Sequence, residues 1–309
     1  MPYELKDKLV IAIASSALFD LSESHRIYRT RGRDAYERYQ IRNESTPLKT
    51  GVAYPFVRRL LQLNPKKTSA RERLVEVVLL SQNSANTGLR VMNSIAHYKL
   101  DIRRAAFTTG RSPYRYLESF DASLFLSADA RSVRDAIENG FAAGRVLHST
   151  FKDDLKDREL RIAFDFDGVL AGDESEQIYK LKGIKAFHKH EHTKARRPMA
   201  QGPLYRLMKK LAHIQKIKAR ERKAGGLKIR TAIVTARSAP AHHRLVTTLR
   251  AWGFDVNEAL FLGGLEKARC LAAFRPHIFF DDQSRHLSAV APCVHVPFGI
   301  SNAGRTVKK

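Results

Sequence analysis

Two aspartates stand two residues apart in the stretch Ile-Ala-Phe-Asp-Phe-Asp-Gly-Val-Leu at 162–170. A carboxylate that can attack phosphorus, beside a carboxyl that can move a proton, suits phosphoryl transfer. In a strand, residues two apart face the same side, so Asp165 and Asp167 are expected to project together from its carboxyl end, where open α/β sheets bind ligands. Three further features follow in order: Thr235 closing an apolar strand, Lys267 opening a helix, and Asp281-Asp282 closing another apolar strand. Singly, each has an ordinary reading as a turn, a helix cap or a solvated lysine. A calcium loop does not fit the first, because its glycine comes fourth and Val169 and Leu170 occupy places that need an oxygen ligand and a glycine. Taken together, all at strand ends or helix starts, the four make a phosphoryl-transfer site the better reading.

Holding them takes a doubly wound parallel sheet. The pattern reads strand at Arg161 to Leu170, strand at Arg230 to Thr235, helix at Ala239 to Trp252, strand at Ala259 to Leu262, helix from Glu266 to Phe274 and strand at His277 to Asp281. Asp173-Glu-Ser-Glu176 reads as a capping box opening a helix, with Asp173 as N-cap. From about 171 to 228 a mainly helical, basic insertion interrupts the alternation and ends near the glycine pair at 225–226. The first 150 residues carry a weaker copy of the order, with strands at Leu9 to Phe19, Leu74 to Ser81, Ala105 to Thr108 and Ser123 to Ser127, then a helix from Arg131. Leu117, Phe120 and Phe125 fall 154 positions before Leu271, Phe274 and Phe279, and the first strands align at an offset of 151. The chain therefore reads as an N-terminal α/β half, 1–150, and a catalytic half, 151–309, the first a degenerate duplicate of the second. Ala14, Ser16, Pro113, Ser127 and Ala128 stand where the second half has Asp165, Asp167, Lys267, Asp281 and Asp282, so the first half is expected to hold neither a metal nor a phosphoryl group.

A length of 309 residues with 43% hydrophobic content allows a sizeable core and roughly two domains. The apolar run Leu9 to Phe19 is too short to span a bilayer and follows acidic Glu4 and Asp7, so no membrane association and a cytoplasmic location are expected. Cys270 and Cys293 lack metal-type spacing and read as free thiols. The net charge of +24 implies anionic partners. Between Tyr179 and Arg230 seventeen Lys and Arg face only Glu191 and Glu221, a local excess of +15 that makes up well over half of the whole-chain imbalance.

The four motifs resemble those of the haloacid-dehalogenase superfamily of phosphatases. Further segments, among them Leu9 to Asp20, Leu124 to Asp129, Ala200 to Leu204, Val234 to Ser238 and His277 to Gln283, resemble the cytosolic 5′-nucleotidase type I family across nearly the whole chain. Phe166 and the strongly basic insertion depart from the family pattern. The resemblance implies a Mg²⁺-dependent 5′-nucleotidase acting on AMP or related nucleoside monophosphates. Asp165 would be the nucleophile and form an aspartyl phosphate; Asp167 would protonate the leaving 5′ oxygen and then take a proton from water. Ionised Asp165 nearby is expected to raise the pKa of Asp167. Asp165, the Asp167 carbonyl and the Asp281-Asp282 pair would hold the ion, with Lys267 and Thr235 opposite and Arg237 a further phosphate ligand. Oxygen-only ligands favour Mg²⁺ over Zn²⁺.

His188 and His192 could meet on one helix face as metal ligands, but Lys185, Lys189 and Lys194 disfavour a dication, and a substrate-facing basic patch is preferred. Phe187, Tyr205 and Trp252 could stack on a base, although core positions are commoner for aromatics. Ser15 and Ser16 lack a histidine partner and read as turn chemistry. The insertion reads as a cap that closes over substrate. Competing functions are a phosphatase for another phosphometabolite or a nucleic-acid end, and a non-catalytic polyanion-binding protein; nucleic acid is the less favoured partner, and a homo-oligomer is compatible with the sequence.

Overall fold

A computed structural model describes residues 3–65, 72–221 and 226–303. The chain divides into two units, Met1–Val146 and Leu147–Lys309. The first contains strand β1 (Leu9–Ile13), helices α1 (Ser15–Leu18), α2 (Ser22–Arg42) and α3 (Tyr54–Gln62), strand β2 (Val75–Ser81), helix α4 (Ala85–His97), strands β3 (Arg104–Phe107) and β4 (Leu124–Ser127), helix α5 (Ala130–Glu138) and strand β5 (Ala143–Val146). Its strands are all parallel, in the order β3-β2-β1-β4-β5. β1 and β2 are fully buried and mostly aliphatic, as parallel strands covered on both faces must be; Glu76 and Ser81 are the polar residues of β2.

The second unit repeats that layout. It contains β6 (Glu159–Phe164), α6 (Glu174–Thr193), α7 (Tyr205–Glu221), β7 (Lys228–Thr235), α8 (His242–Trp252), β8 (Glu258–Phe261), α9 (Lys267–Phe274), β9 (Ile278–Asp281) and β10 (Cys293–His295). The strands are again parallel, in the order β10-β9-β6-β7-β8. Leu117 and Phe125 lie in one core with Phe120 packed against it; Leu271, Phe274 and Phe279 lie in the other. Long helices α2 and α6 are each broken at a left-handed glycine, Gly32 (φ 76°) and Gly183 (φ 77°), 151 positions apart. The interval 171–228 is thus not peculiar to the second half: α2 and α3 fill the matching interval of the first, where the sequence pattern gives no helix.

Three local expectations are corrected. The strand read to Leu170 ends at Phe164, because the Phe166 carbonyl turns to accept N–H bonds from Val169, Leu170 and Ala171 and takes the chain out of the sheet. The strand read to Phe19 ends at Ile13 and passes into α1. Asp173 is the N-cap of α6 but makes no capping bond; its carboxylate accepts instead from the Gln177 side chain (2.9 Å) and the Ile300 N–H (2.7 Å). Gly225, where the basic segment was expected to end, lies outside the described residues. No described helix is long and apolar enough to cross a membrane.

Candidate active site

In the second unit β6 lies between β7 and β9, and the chain leaves it first towards β7 and later towards β9. This makes the carboxyl end of β6 a topological switch point, the crevice in which open parallel sheets place ligands. Asp165 is the first residue beyond β6, and its N–H donates to the Phe280 carbonyl (2.7 Å), which sets it beside Asp281 at the end of β9. Thr235 ends β7 on the other side. Asp165, Thr235, Lys267, Asp281 and Asp282 are all buried.

One cation screens the carboxylates here. Lys267 Nζ, at the start of α9, donates to Asp281 Oδ2 (2.7 Å) and lies 3.0 Å from Asp165 Oδ1. Burial acts to lower the Lys267 pKa, but Asp165 and Asp281 more than reverse this and raise it. Asp165 is pushed up, first by burial and then, against the pull of Lys267, by Asp281 and Asp167. Asp281 is held low despite burial, chiefly by Lys267, and its Oδ1 accepts the Gln283 N–H (2.8 Å).

Asp282 is the uncompensated member. Burial and the charges of Asp165, Asp281 and Glu176 push its pKa up to about 9, and its Oδ1 is buried without a hydrogen-bond partner among the described residues. A buried carboxylate oxygen of that kind is costly unless a cation meets it. Three clustered carboxylates beside one ammonium make a mainly oxygen-donor set, with His286 a nitrogen donor in reach, and fit a hard divalent ion.

Gly168 makes this crowding feasible. Its φ is +71°, and a Cβ there would stand 2.8 Å from Asp282 Cγ and Oδ2. Gly168→Ala is therefore expected to cost at least about 1–2 kcal/mol from left-handed backbone strain alone. Displacement of Asp282 should also weaken divalent-ion binding; chemical denaturation and metal titration of the variant check both.

Asp167 and Arg237 form a second charged group. Arg237 Nε and Nη2 donate to the two Asp167 oxygens, each at 2.7 Å, a bidentate fork. Nη1 donates to Glu191 Oε2 of α6 and to the Ala241 carbonyl (3.2 Å). The guanidinium also lies over the rings of Phe166 (5.4 Å) and Phe187 (5.6 Å). Phe166 thus has a packing role: fully buried, it supports the arginine that holds Asp167. The Arg237 N–H donates to Thr235 Oγ1 (3.2 Å), leaving that hydroxyl able to donate its own proton. Arg237, expected as a phosphate ligand, is committed to carboxylates here.

Sequence reading passed over Glu191 and His286. The signal for Glu191 was its sign, one of only two acids in a basic run; it is 1% exposed and also accepts from Ser175 (2.8 Å) and Arg244 (2.9 Å). His286 Nδ1 lies 3.3 Å from Asp281 Oδ2, and His286 groups with Asp165 and Asp281 as residues able to share an ion. It follows Asp281 by five residues and forms no motif that spacing could flag. In the histidine run, His190 sits 3.4 Å from Glu174 and 3.0 Å from Arg244, whereas His192 is exposed. Tyr205 and Trp252 pack on one another and on Phe254, and Trp252 also packs against Phe166.

The chain matches the family model described as 5′-nucleotidase over residues 1–303. It is similar to human cytosolic 5′-nucleotidase 1B, with 37% identity over 290 residues that cover 93% of this chain and 48% of that protein. The chain thus spans about half the length of this curated relative. No solved structure matches it. With nearly its whole length under the family model, and with the acidic cluster at the switch point of its second unit, this chain belongs to the 5′-nucleotidase family.

Proposed function

We propose that this chain hydrolyses the 5′ phosphate of nucleoside monophosphates, AMP among them, to nucleoside and inorganic phosphate. The observation that carries this reading is the buried convergence of Asp165, Asp281 and Asp282 around Lys267 at the switch point of a member of this family. Asp165 Oδ1 is held by the Phe166 N–H (2.7 Å) and by Lys267, so Oδ2 is the attacking oxygen. It bonds to phosphorus as the bond to the 5′ oxygen breaks, and the departing oxygen takes a proton from Asp167. Water then attacks phosphorus and gives its proton to Asp167, phosphate leaves, and Asp165 is regenerated. With both Asp167 oxygens accepting from Arg237, the arrangement is that of a base awaiting water; for the first step the fork must release one oxygen.

Asp165, the Asp167 carbonyl and Asp282 would hold Mg²⁺, since Asp281 is committed to Lys267 and the Gln283 N–H. Bound there, the ion would draw charge off the phosphoryl oxygens. Lys267 and the Thr235 hydroxyl would meet the same oxygens from the protein side. The first unit, with Ala14 and Ser16 in place of the carboxylates, is read as a degenerate repeat without chemistry of its own; the shared strand order and the paired glycine kinks support this. Helices α6 and α7 are read as a cap, supported by the reach of Phe187 and Glu191 to Arg237. A cytoplasmic setting is supported by the relative's name and the free cysteines.

A panel of nucleoside 5′- and 3′-monophosphates, sugar phosphates and a 5′-phosphorylated oligonucleotide, assayed with Mg²⁺ and with chelator, tests the reading. Phosphate release is expected from the 5′-monophosphates and only with Mg²⁺. Release confined to sugar phosphates or the oligonucleotide, or indifferent to chelator, overturns it.

A further inference from the structure

The two units carry the same buried anchor for their long kinked helix, and the difference between them isolates one charge. In the first unit Gln40, near the end of α2, accepts from Arg90 Nη1 (3.0 Å) and donates to Ser24 Oγ (3.3 Å). In the second, Glu191 of α6 accepts from Arg244 Nη1 (2.9 Å) and from Ser175 Oγ (2.8 Å). Ser24 and Ser175, and Gln40 and Glu191, are 151 positions apart; Arg90 and Arg244 are 154 apart, the offsets of their own strands. All six side chains are buried. A neutral amide therefore suffices to tie this helix to this arginine. The carboxylate appears only where Arg237 replaces Asn83 and Asp167 replaces Ser16, and there its second oxygen goes to Arg237.

An anchoring role leaves that second oxygen unexplained. Burial alone would raise the pKa of Glu191, yet Arg237 chiefly, with Ser175 and Arg244, more than offsets this and holds it below the usual carboxylate range. Arg237 in turn has carboxylates at both ends of its guanidinium, Glu191 fixing Nη1 while Nε and Nη2 hold Asp167. A planar group pinned at one end presents a fixed fork at the other.

We propose that Glu191 is a positioning residue: from α6 it fixes the Arg237 guanidinium, and through it the orientation of the Asp167 carboxyl that moves the proton. The inference rests on the hydrolysis proposed above and adds to it a link between the α6 helix and the reacting groups. Because Asp167 works in the chemical steps and not in holding substrate, loss of the link lowers kcat and spares KM.

The test is Glu191→Gln in the full chain, the exchange that the first unit already tolerates. The chain is expected to fold with a lowered thermal midpoint, since Glu191 is paired with buried Arg237 and Arg244, while kcat falls about 10- to 100-fold and KM remains within about twofold. In an Arg237→Gln background the same substitution should lower kcat by less than about twofold more, since residues acting through one another do not add. Wild-type kcat in Glu191→Gln, or full additivity with Arg237→Gln, overturns the inference while the hydrolysis stands. A Glu191→Gln chain that does not fold overturns it too, because the charge would then serve the fold. A wild type inert towards every phosphomonoester removes the hydrolysis and this inference together.

Discussion

Asp165→Asn is expected to lower kcat for nucleoside monophosphate hydrolysis by about 10⁴-fold or more, the scale on which loss of a nucleophile is felt. The metal-free variant should melt no lower than wild type. Both halves of this expectation come from the same surroundings. Asp165 is the carboxylate whose Oδ1 is fixed by the Phe166 N–H and Lys267, and an amide in its place cannot form an acyl phosphate. The site also pushes the Asp165 carboxyl towards its neutral form through burial and the charges of Asp281 and Asp167. A neutral side chain of the same shape removes that repulsion while Lys267 keeps Asp281 as partner. Phosphate release and thermal melting in chelator measure the two effects; near-normal turnover removes Asp165 from the reaction.

Lys267→Met should damage both fold and rate. Lys267 is 3% exposed and is paired with two buried carboxylates, so its loss leaves Asp165 and Asp281 without their ammonium partner. Removing one partner of a buried ion pair costs about 3–5 kcal/mol. A missing charged contact to the transition state costs a further 10² to 10³ or so in kcat. Saturating Mg²⁺ should restore part of the stability, since an ion can screen the same oxygens, but not the rate. Urea denaturation with and without Mg²⁺, alongside steady-state kinetics, checks this; a variant as stable as wild type in chelator contradicts the screening role.

Most of the second unit was legible because its strands end in apolar runs that stop at polar residues. Those ends, at Asp165, Thr235 and Asp281, are what the topology brings together. Spacing also placed Lys267 at the first turn of α9. Apart from α5, the helices of the first unit were not legible from periodicity: α2 carries Arg, Glu and Tyr on a mostly exposed surface and breaks at Gly32, so no continuous apolar stripe marks it. The capping box failed for a different reason, because Ile300 and Gln177 take the Asp173 oxygens that the motif assigns to the helix start.

Within the site, residue types were easier to read than their pairing. Arg237 two positions after Thr235 suggested a phosphate ligand, whereas its fork closes on Asp167, a partner seventy residues away. Glu191 could be found only by asking why an acid interrupts a basic run. Spacing alone does not separate Asp281 from Asp282, and Asp282 is the proposed metal ligand. Lys267 takes the first, and the left-handed turn at Gly168 leaves the second pressed into the site with a bare oxygen.

Asp165 is proposed to receive the phosphoryl group with a divalent ion beside it. Wild-type protein mixed with AMP and Mg²⁺, quenched in acid during turnover and mapped by peptide mass spectrometry, reads this directly. A phosphorylated peptide whose modified residue is Asp165, absent when the ion is chelated, is the expected result. A phosphoryl group on another residue, or phosphate release that continues at full rate in chelator, would contradict it.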